Sequence, residues 1–435
     1  MIPDRICRRI FVTVALLAAT ALPALAFNPL VGDYSKENPL DIRIMAYNTQ
    51  TNFIADGSRD AAFNRIFVAI NPDLVCLEEI PSSVSASTMA ARFNTILPIG
   101  GSGWQVHYGL LAGTRNALVS RFPLTLTRTD TTPTSSTRGV TIALADLPNA
   151  TYPVDVYLMG VHLKCCGDPG GSEDASRQRS ADAIANWIAD ARGVVRPSGN
   201  NVVLSANTPM IVLGDFNMVG GPQIETTLLT GDILDNATFG VDVKGDWDVT
   251  DLTNLDPLDP FSNQNFTWQG SGSFDPSPLD RMMTTDSAFN AVNKFIFNTN
   301  TMTPAARTAA GVQAGDTLPS NSSDHLPIVV DLRIVDPCAA DADGDGTNNC
   351  LDGCPNDPAR TAPGLCGCNV PAAVQGSGDV NRDSQLDGRD IDAFAREFLA
   401  PTAPSERACA ADADHNGTVN AADVSPFVTA LLAAP

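Results

Sequence analysis

Positive charge is scarce in this 435-residue chain: 27 Lys and Arg stand against 49 Asp and Glu, a formal net charge of -22. Nowhere do the basic residues gather into the stripe with which a protein holds nucleic acid by neutralising phosphates. An anionic substrate therefore has to rely on bound cations and on local Arg or Lys. Histidine is scarcer still, with four in all, so the places where it falls carry information. Long apolar runs are missing too, apart from one at the N-terminus. There Arg5, Arg8 and Arg9 precede the uncharged run from Ile10 to Leu22, and Ala24-Leu25-Ala26 supplies a small-x-small cleavage pattern. The run is shorter than the ~20 residues needed to span a bilayer. Residues 1–26 therefore read as a signal peptide, and the mature chain is expected to be secreted, extracellular or at the cell surface, with no transmembrane segment.

Export bears on the cysteines. Cys7 lies in the leader, whereas Cys338, Cys350, Cys354, Cys366 and Cys368 crowd together in the manner of a disulfide-stapled segment that Cys409 can join. Cys76 sits in an apolar strand-like run and reads as a buried free thiol. Cys165 and Cys166 can bridge to each other or to other cysteines. The acidic charge is uneven as well: from Asp336 onward 16 acids face 5 bases, and the preceding 335 residues hold 33 acids and 22 bases.

The hydrophobic content of 43% is ample for a large core. Between Leu40 and Ile334, short β-rich runs alternate with amphipathic helical stretches, the signature of an α/β domain. Strands are expected at Ile42 to Tyr47, Leu74 to Leu77, Val154 to His162, Pro209 to Leu213 and Ile328 to Leu332. Phe63, Ile66, Phe67 and Ile70 repeat at helical spacing until Asn71-Pro72 stops the helix. A second helix opens near Ser172, aligns Ile184, Trp187, Ile188 and Ala191, and ends at Arg192-Gly193. The stretches from Gly220 to Phe266 and from Thr301 to Ser322 read as long polar loops in which substrate specificity resides.

Six short clusters place metal-competent or proton-transferring side chains at the ends of apolar runs, where loops converge. They are Asn48 and Gln50 in AYNTQ, Glu79 in LVCLEEI, His162 in LMGVHLK, Asp215 and Asn217 in IVLGDFN, Asp280 in PLDRMM, and Asp324 and His325 in SSDHLP. A phosphoester resists water because the attacking oxygen meets a shell of negative charge. Hydrolysis needs a hard cation on the non-bridging oxygens and a group to ready the water. Mg²⁺ or Mn²⁺ is held by carboxylates with several waters left over, which suits Glu79 and Asp324. Imidazole exchanges protons near neutral pH, which suits His325. Asn217 adds an uncharged donor for phosphate, and Asp215 can orient or deprotonate the water. Trp268, in FTWQG, reads as a core side chain in preference to a stacking platform for a base.

The succession YN, LxE, H, GDFN, LDR and SDH, over about residues 41 to 333, resembles the endonuclease/exonuclease/phosphatase superfamily, which includes deoxyribonuclease I. The resemblance implies a four-layer α/β sandwich, two packed sheets with helices outside. It also implies roles: Glu79 ligates the metal with support from Asn48, and Asp324 is a second acid on the metal side. Asp215 and Asn217 position water and phosphate, His325 oriented by Asp280 is a base or phosphate contact, and His162 is a proton donor or phosphate binder. Two positions depart from the pattern. Gln50 stands where some repair nucleases carry Asp, which weakens a second metal site, and Glu78 stands where Gln is common.

Past Asp336, Asp, Asn, Gly and Cys dominate, and one spacing recurs three times. A twelve-residue calcium loop presents oxygens at positions 1, 3, 5, 7, 9 and 12. The first repeat offers Asp341, Asp343, Asp345, Asn349 and Asp352, the second Asp379, Asn381, Asp383, Asp387 and Asp390, and the third Asp412, Asp414, Asn416, Asn420 and Asp423. Position 7 contributes a carbonyl from Thr347, Gln385 or Thr418. Gly346 and Gly417 make the sharp turn at position 6, where Ser384 in the second loop is expected to weaken binding. The first repeat is similar to thrombospondin type 3 repeats. The other two, each followed by an apolar stretch, resemble a dockerin, whose partners are cohesins. Gly388-Arg389 and Ala421-Ala422 differ from the usual hydroxyl pairs at the partner-selecting positions.

The expected organisation is a signal peptide (1–26), a catalytic domain (27–335), a Cys-rich segment (336–370) and a dockerin-like calcium domain (376–433). The expected function is a secreted phosphoester hydrolase using Mg²⁺ or Mn²⁺, foremost a phosphodiesterase or nuclease, with Ca²⁺ in the tail and a cohesin-like partner. A sphingomyelinase- or phosphatase-type hydrolase and a silent extracellular scaffold are the alternatives.

Overall fold

The computed structural model describes residues 27–109, 114–130, 139–197, 202–334, 343–347, 353–354, 356–362, 365–368, 374–400 and 405–434. The expected signal peptide, Asp341, Asn349 and Asp352 of the first calcium repeat, and Cys338 and Cys350 lie outside the described residues. In chain order the strands are β1 (Ile42–Asn48), β2 (Leu74–Pro81), β3 (Gln105–Tyr108), β4 (Thr114–Ser120), β5 (Leu124–Asp130), β6 (Val140–Ala145), β7 (Val156–His162), β8 (Met210–Asp215), β9 (Thr253–Asn254), β10 (Asp280–Thr284), β11 (Phe289–Ile296) and β12 (Ile328–Ile334). The helices are α1 (Asp60–Ile70), α2 (Ala86–Ile96), α3 (Ser172–Ala191), α4 (Gln223–Thr230), α5 (Asn236–Phe239), α6 (Pro304–Ala310), α7 (Asp390–Leu399), α8 (Glu406–Ala411) and α9 (Ala421–Ala433). No helix among the described residues is long and apolar enough to cross a membrane.

Two six-stranded sheets form, in the orders β11-β12-β1-β2-β4-β3 and β5-β6-β7-β8-β10-β9. The period-two alternation of strands divides each central strand between two cores. Ile42, Ile44 and Ala46 of β1 meet Leu158 of β7 and Ile211 and Leu213 of β8 between the sheets. Met45 and Tyr47 face the other way, onto Phe63, Ile66, Phe67 and Ile70 of α1 and Phe93 of α2. On the second sheet, Tyr157, Met159 and Val161 of β7 and Val212 of β8 take Ile184, Trp187, Ile188 and Ala191 of α3. The result is the four-layer α/β sandwich.

Strand direction decides where the chemistry falls. β1 and β2 run parallel with α1 as their crossover, and β7 and β8 run parallel with α3 between them. Asn48 is therefore level with Glu78, and His162 with Asp215. β10 pairs antiparallel to β8 and begins at Asp280 opposite Asp215. β12 pairs antiparallel to β1 with Ile328 opposite Ala46, so the SDHLP segment ahead of it reaches the end of β1. Four strand ends and two strand beginnings thus share one edge of the sandwich.

The two segments read as long polar loops hold more structure than that. α4, α5 and β9 occupy the first, where Ile224 and Leu228 join the α3 layer. α6 occupies the second and buries Ala306. These elements are too short, and have too few buried positions, to set up a readable period.

In the tail, α7 and α9 follow the second and third loops and bring Phe394 and Phe427 into a stack with centroids 4.1 Å apart and planes 7° off parallel. Cys366 bridges to Cys409, and Cys354 to Cys368. Both loops are wired alike. The first Asp of each caps two amides of its turn, Asp379 those of Asp383 and Ser384, Asp412 those of Asn416 and Gly417. The last Asp of each accepts from two more, Asp390 from Asn381 and Asp387, Asp423 from Asp414 and Asn420.

One ion pair lies wholly inside the first sheet. Arg43 of β1 grips Asp331 of β12 through Nε and Nη2 at 2.6 and 2.7 Å, and its Nη1 donates to the Ile70 carbonyl at the end of α1. Both side chains are almost fully buried. Asp331→Ala leaves the guanidinium without its carboxylate and is expected to cost about 3–5 kcal/mol, read as a lower denaturant midpoint with an unchanged slope.

Candidate active site

β2 delivers two acids to different places. Its pairing with β4 slips between Leu77, opposite Ala117, and Ile80, opposite Arg115, so Glu78 and Glu79 together face Asn116. This is a β-bulge, and Glu79 takes the left-handed conformation within it, at φ 60°. Glu78 consequently points into the sandwich and is fully buried, while Glu79 turns to the cleft that it lines. Burial, with Asp280 and Asp215 nearby, holds the Glu78 carboxyl well above the usual range, and Cys76 Sγ donates to its Oε1 at 3.0 Å. A neutral carboxylic acid has the shape of an amide and, like it, both a donor and an acceptor, so Glu is tolerated at this buried position. Gly214, at φ 130°, leaves the room: a Cβ there would sit 2.2 Å from the Val161 carbonyl oxygen and 2.6 Å from Glu78 Oε1.

Asp215 is the hub. Its Oδ2 accepts from Asn48 Nδ2 at 3.1 Å, across from one sheet to the other, and lies 3.4 Å from His162 Nε2 and 3.9 Å from His325 Nε2. Its Oδ1 accepts from the Asn217 amide at 2.9 Å. Asn217, at φ 48°, donates Nδ2 to the Leu163 carbonyl. Glu79 Oε1 is 3.9 Å from His162 Nε2. On the far side, His325 Nδ1 is paired with Asp280 Oδ2 at 2.7 Å, and the Asp280 amide donates to Thr267 Oγ1. Asn48, His162, Asp215, Asn217, Asp280 and His325 are all buried, and Glu79 is the most exposed of the group.

Charge follows from burial and neighbours. Burial raises Asp215 above the usual carboxylate range, with His162 and His325 pulling it down and Asp280 pushing it further up. For His325, burial acts downward, but hydrogen-bonded Asp280 and the charges of Asp215 and Asp324 outweigh it and raise the imidazole to about 10.

The side chains converge on a cleft of about 940 Å³ lined by Glu79, His162, Asp215, Asn217, Trp268 and His325 among others. Asp324 stands at its back: Oδ2 accepts from Trp268 Nε1 at 3.2 Å and its carbonyl from the Gln269 amide. Trp268 corrects the core reading. Thr267 is buried and takes the inward place, whereas half-buried Trp268 pairs by backbone with Ser277 and His325 and becomes a wall of the cleft. The hairpin it starts carries Phe274, 73% exposed, into the same wall. Cys165 and Cys166, without disulfide partners, line the opposite loop. Nothing in the sequence marked these three residues for the cleft, because each lies in a segment without period.

A different grouping occurs in the tail. Asp412, Asp414 and Asp423 bring carboxylate oxygens within 4.8 Å of one another, the one such group of three or more candidate ligands among the described residues.

Comparison with known proteins gives the family. The model of the Endonuclease/Exonuclease/phosphatase family matches residues 45–325, and the chain belongs to that family, whose members hydrolyse phosphoesters and generally depend on a divalent metal. Residues 377–431 match the dockerin type I domain; dockerins bind Ca²⁺ and engage cohesins. Among solved structures, D. rerio TDP2 complexed with a single strand DNA product is similar at 12% identity, over 67% of this chain and 99% of that one, with a TM-score of 0.42. The human Nocturnin catalytic domain is similar at 16% identity, over 68% and 95%, with a TM-score of 0.43. An endonuclease/exonuclease/phosphatase from Bacteroides vulgatus is similar at 15% identity, over 68% and 99%, with a TM-score of 0.42. No curated protein matches.

The Asp280–His325 pair has a measurable signature. The folded-state value of about 10 lies above the ~6.5 of an unfolded chain. Its stabilisation is therefore complete below about pH 6.5 and lost as the pH rises through about 10. Asp280→Asn is expected to drop the His325 value well below 10 in an NMR titration and to flatten the dependence of the urea midpoint on pH across that window.

Proposed function

We propose that the chain is an exported, divalent-metal-dependent hydrolase of phosphodiesters whose tail binds calcium and docks onto a cohesin-like protein. The carrying observation is the meeting of Glu79, His162, Asp215, Asn217 and His325 at one cleft, with Asn48 bonded to Asp215 beside it. Four carboxylates, Glu79, Asp215, Asp280 and Asp324, gather beside two imidazoles, an excess of negative charge in a partly buried space that a cation offsets. Apart from the imidazoles, the groups of this gathering offer hard oxygens, which fits Mg²⁺ or Mn²⁺. Mg²⁺ keeps several waters and needs only one or two carboxylates, so a loose donor set suffices. Glu79 would hold it, with Asn48 in support and Asp324 contributing from the metal side. The cation supplies charge neutralisation on the non-bridging oxygens.

The chain's own groups divide the remaining work. His325, fixed at Nδ1 by Asp280 and charged at neutral pH, is a donor from Nε2 to the developing negative charge and not the base. That leaves Asp215, whose raised pKa suits proton acceptance, to take the proton from the attacking water. Asn217 orients the phosphate, and His162 donates to it or to the leaving oxygen. One observation favours the sphingomyelinase-type alternative over a nuclease: Val219, Trp268, Phe274 and Leu279 give the cleft an apolar flank.

The test is turnover of plasmid DNA, RNA, sphingomyelin and a chromogenic phosphodiester with Mg²⁺, with and without chelator. At least one substrate is expected to be hydrolysed in a chelator-sensitive way. His325→Ala is expected to lower turnover by about 10²-fold or more and Asp215→Ala by about 10²- to 10⁴-fold. Absence of turnover on all four, or full activity in either variant, defeats the proposal.

In the tail, Ser384 and Gly417 hold the same left-handed position, at φ 70° and 85°. A side chain there costs roughly 1 kcal/mol that glycine avoids. Ser384→Gly is expected to tighten calcium binding at the second loop about fivefold, measured by isothermal titration, with the third loop unchanged.

A further inference from the structure

The loop that leaves β7 carries Cys165 and Cys166 side by side, both facing the cleft that His162, Asp215 and His325 share. Neither is in a disulfide; Cys166 is exposed and Cys165 half-buried. The adjoining Cys165 thiol, together with burial, raises the Cys166 thiol above its usual range. Around them the backbone is clamped. The Leu163 amide donates to the Asp215 carbonyl at 2.8 Å, and the Leu163 carbonyl accepts from Asn217 Nδ2. Fully buried Arg177 donates Nη1 to the carbonyls of both Lys164 and Cys166, at 2.7 and 2.8 Å. Any change at the 165–166 peptide therefore reaches Asp215 and Asn217 within a few bonds.

Neighbouring Cα atoms are about 3.8 Å apart across a trans peptide, closer than the roughly 4.4–6.8 Å of ordinary disulfides. A bond between adjacent cysteines must deform the peptide between them, and strained bonds are the readily reduced ones. Its chemistry is thus that of a reversible modification and not of a staple such as Cys366–Cys409.

We propose that Cys165–Cys166 is a covalent modification site on the cleft wall, a reversible vicinal disulfide formed by exchange with a small disulfide, whose closure slows the enzyme. The effect on turnover rests on the hydrolase reading; the bond itself does not. One thiolate of the pair attacks the reagent disulfide and displaces one thiolate, leaving a mixed disulfide. The neighbour attacks that bond and displaces the second thiolate. The protein loses two protons and two electrons, and the reagent is reduced to two thiols.

The experiment treats the full-length protein with oxidised glutathione, blocks remaining thiols with iodoacetamide and digests with trypsin. Cleavage after Lys164 and Arg177 isolates both cysteines, and no others, in one peptide. That peptide is expected to be two hydrogens lighter and unalkylated, and dithiothreitol to return it to the doubly alkylated form. Turnover is expected to fall about tenfold on oxidation and recover with the thiol, whereas the C165S/C166S double variant keeps its turnover and ignores the oxidant. A peptide that stays doubly alkylated, or that stops at the glutathione adduct, overturns the site. The vicinal bond forming without change in turnover overturns its role. Absence of turnover before oxidation counts against the hydrolase reading alone, since the peptide masses still decide the bond.

Discussion

One carboxylate oxygen joins the two halves of the molecule. Asp215 Oδ2, at the end of β8, receives Asn48 Nδ2 from the end of β1, and those strands belong to different sheets. The same oxygen faces Nε2 of both cleft imidazoles, His162 at 3.4 Å and His325 at 3.9 Å. Because the contact is buried, either group left alone would lose solvation without recompense, so the sheets have to dock in one register for it to form. The rest of the site is arranged around that docking: Asp280 is carried in opposite Asp215 by β10, and the SDH segment arrives with β12.

Burial and charge then shape each other. Asp215, Asp280 and fully buried Glu78 crowd the inner side of the cleft, and the crowding does not leave them equivalent. Glu78, without a cation or imidazole in contact, retreats to its neutral acid. His325 becomes fixed as a cation by the carboxylates that surround it. Burial without a cation thus keeps the carboxyl protonated and uncharged, whereas adjoining carboxylates keep the imidazole protonated and charged.

Much of this was visible in the residues themselves. Asn48, His162 and Asp215 close apolar runs, and an apolar run that becomes polar at its last residue announces a strand ending at a sheet edge. α1 and α3 were legible because four apolar residues each recur at helical spacing. The division between Glu78 and Glu79 was not, since a bulge is a property of the pairing with β4 and leaves no mark on β2 alone. Trp268 was misplaced for a related reason: its segment has no period, so the inward position of Thr267 is known only once Asp280 donates to it. The Cys366–Cys409 bridge likewise depends on α8 folding back, which spacing does not reveal.

The bridge between Asn48 and Asp215 also bears on when the site exists. Each sheet supplies only part of the constellation: β1, β2 and the segment ahead of β12 bring Asn48, Glu79, Asp324 and His325, and β7, β8 and β10 bring His162, Asp215 and Asp280. A half-folded chain, or one with its sheets apart, holds fragments too far separated to cooperate. The constellation is therefore complete only where the central hydrophobic layer has closed, and neither sheet carries it alone.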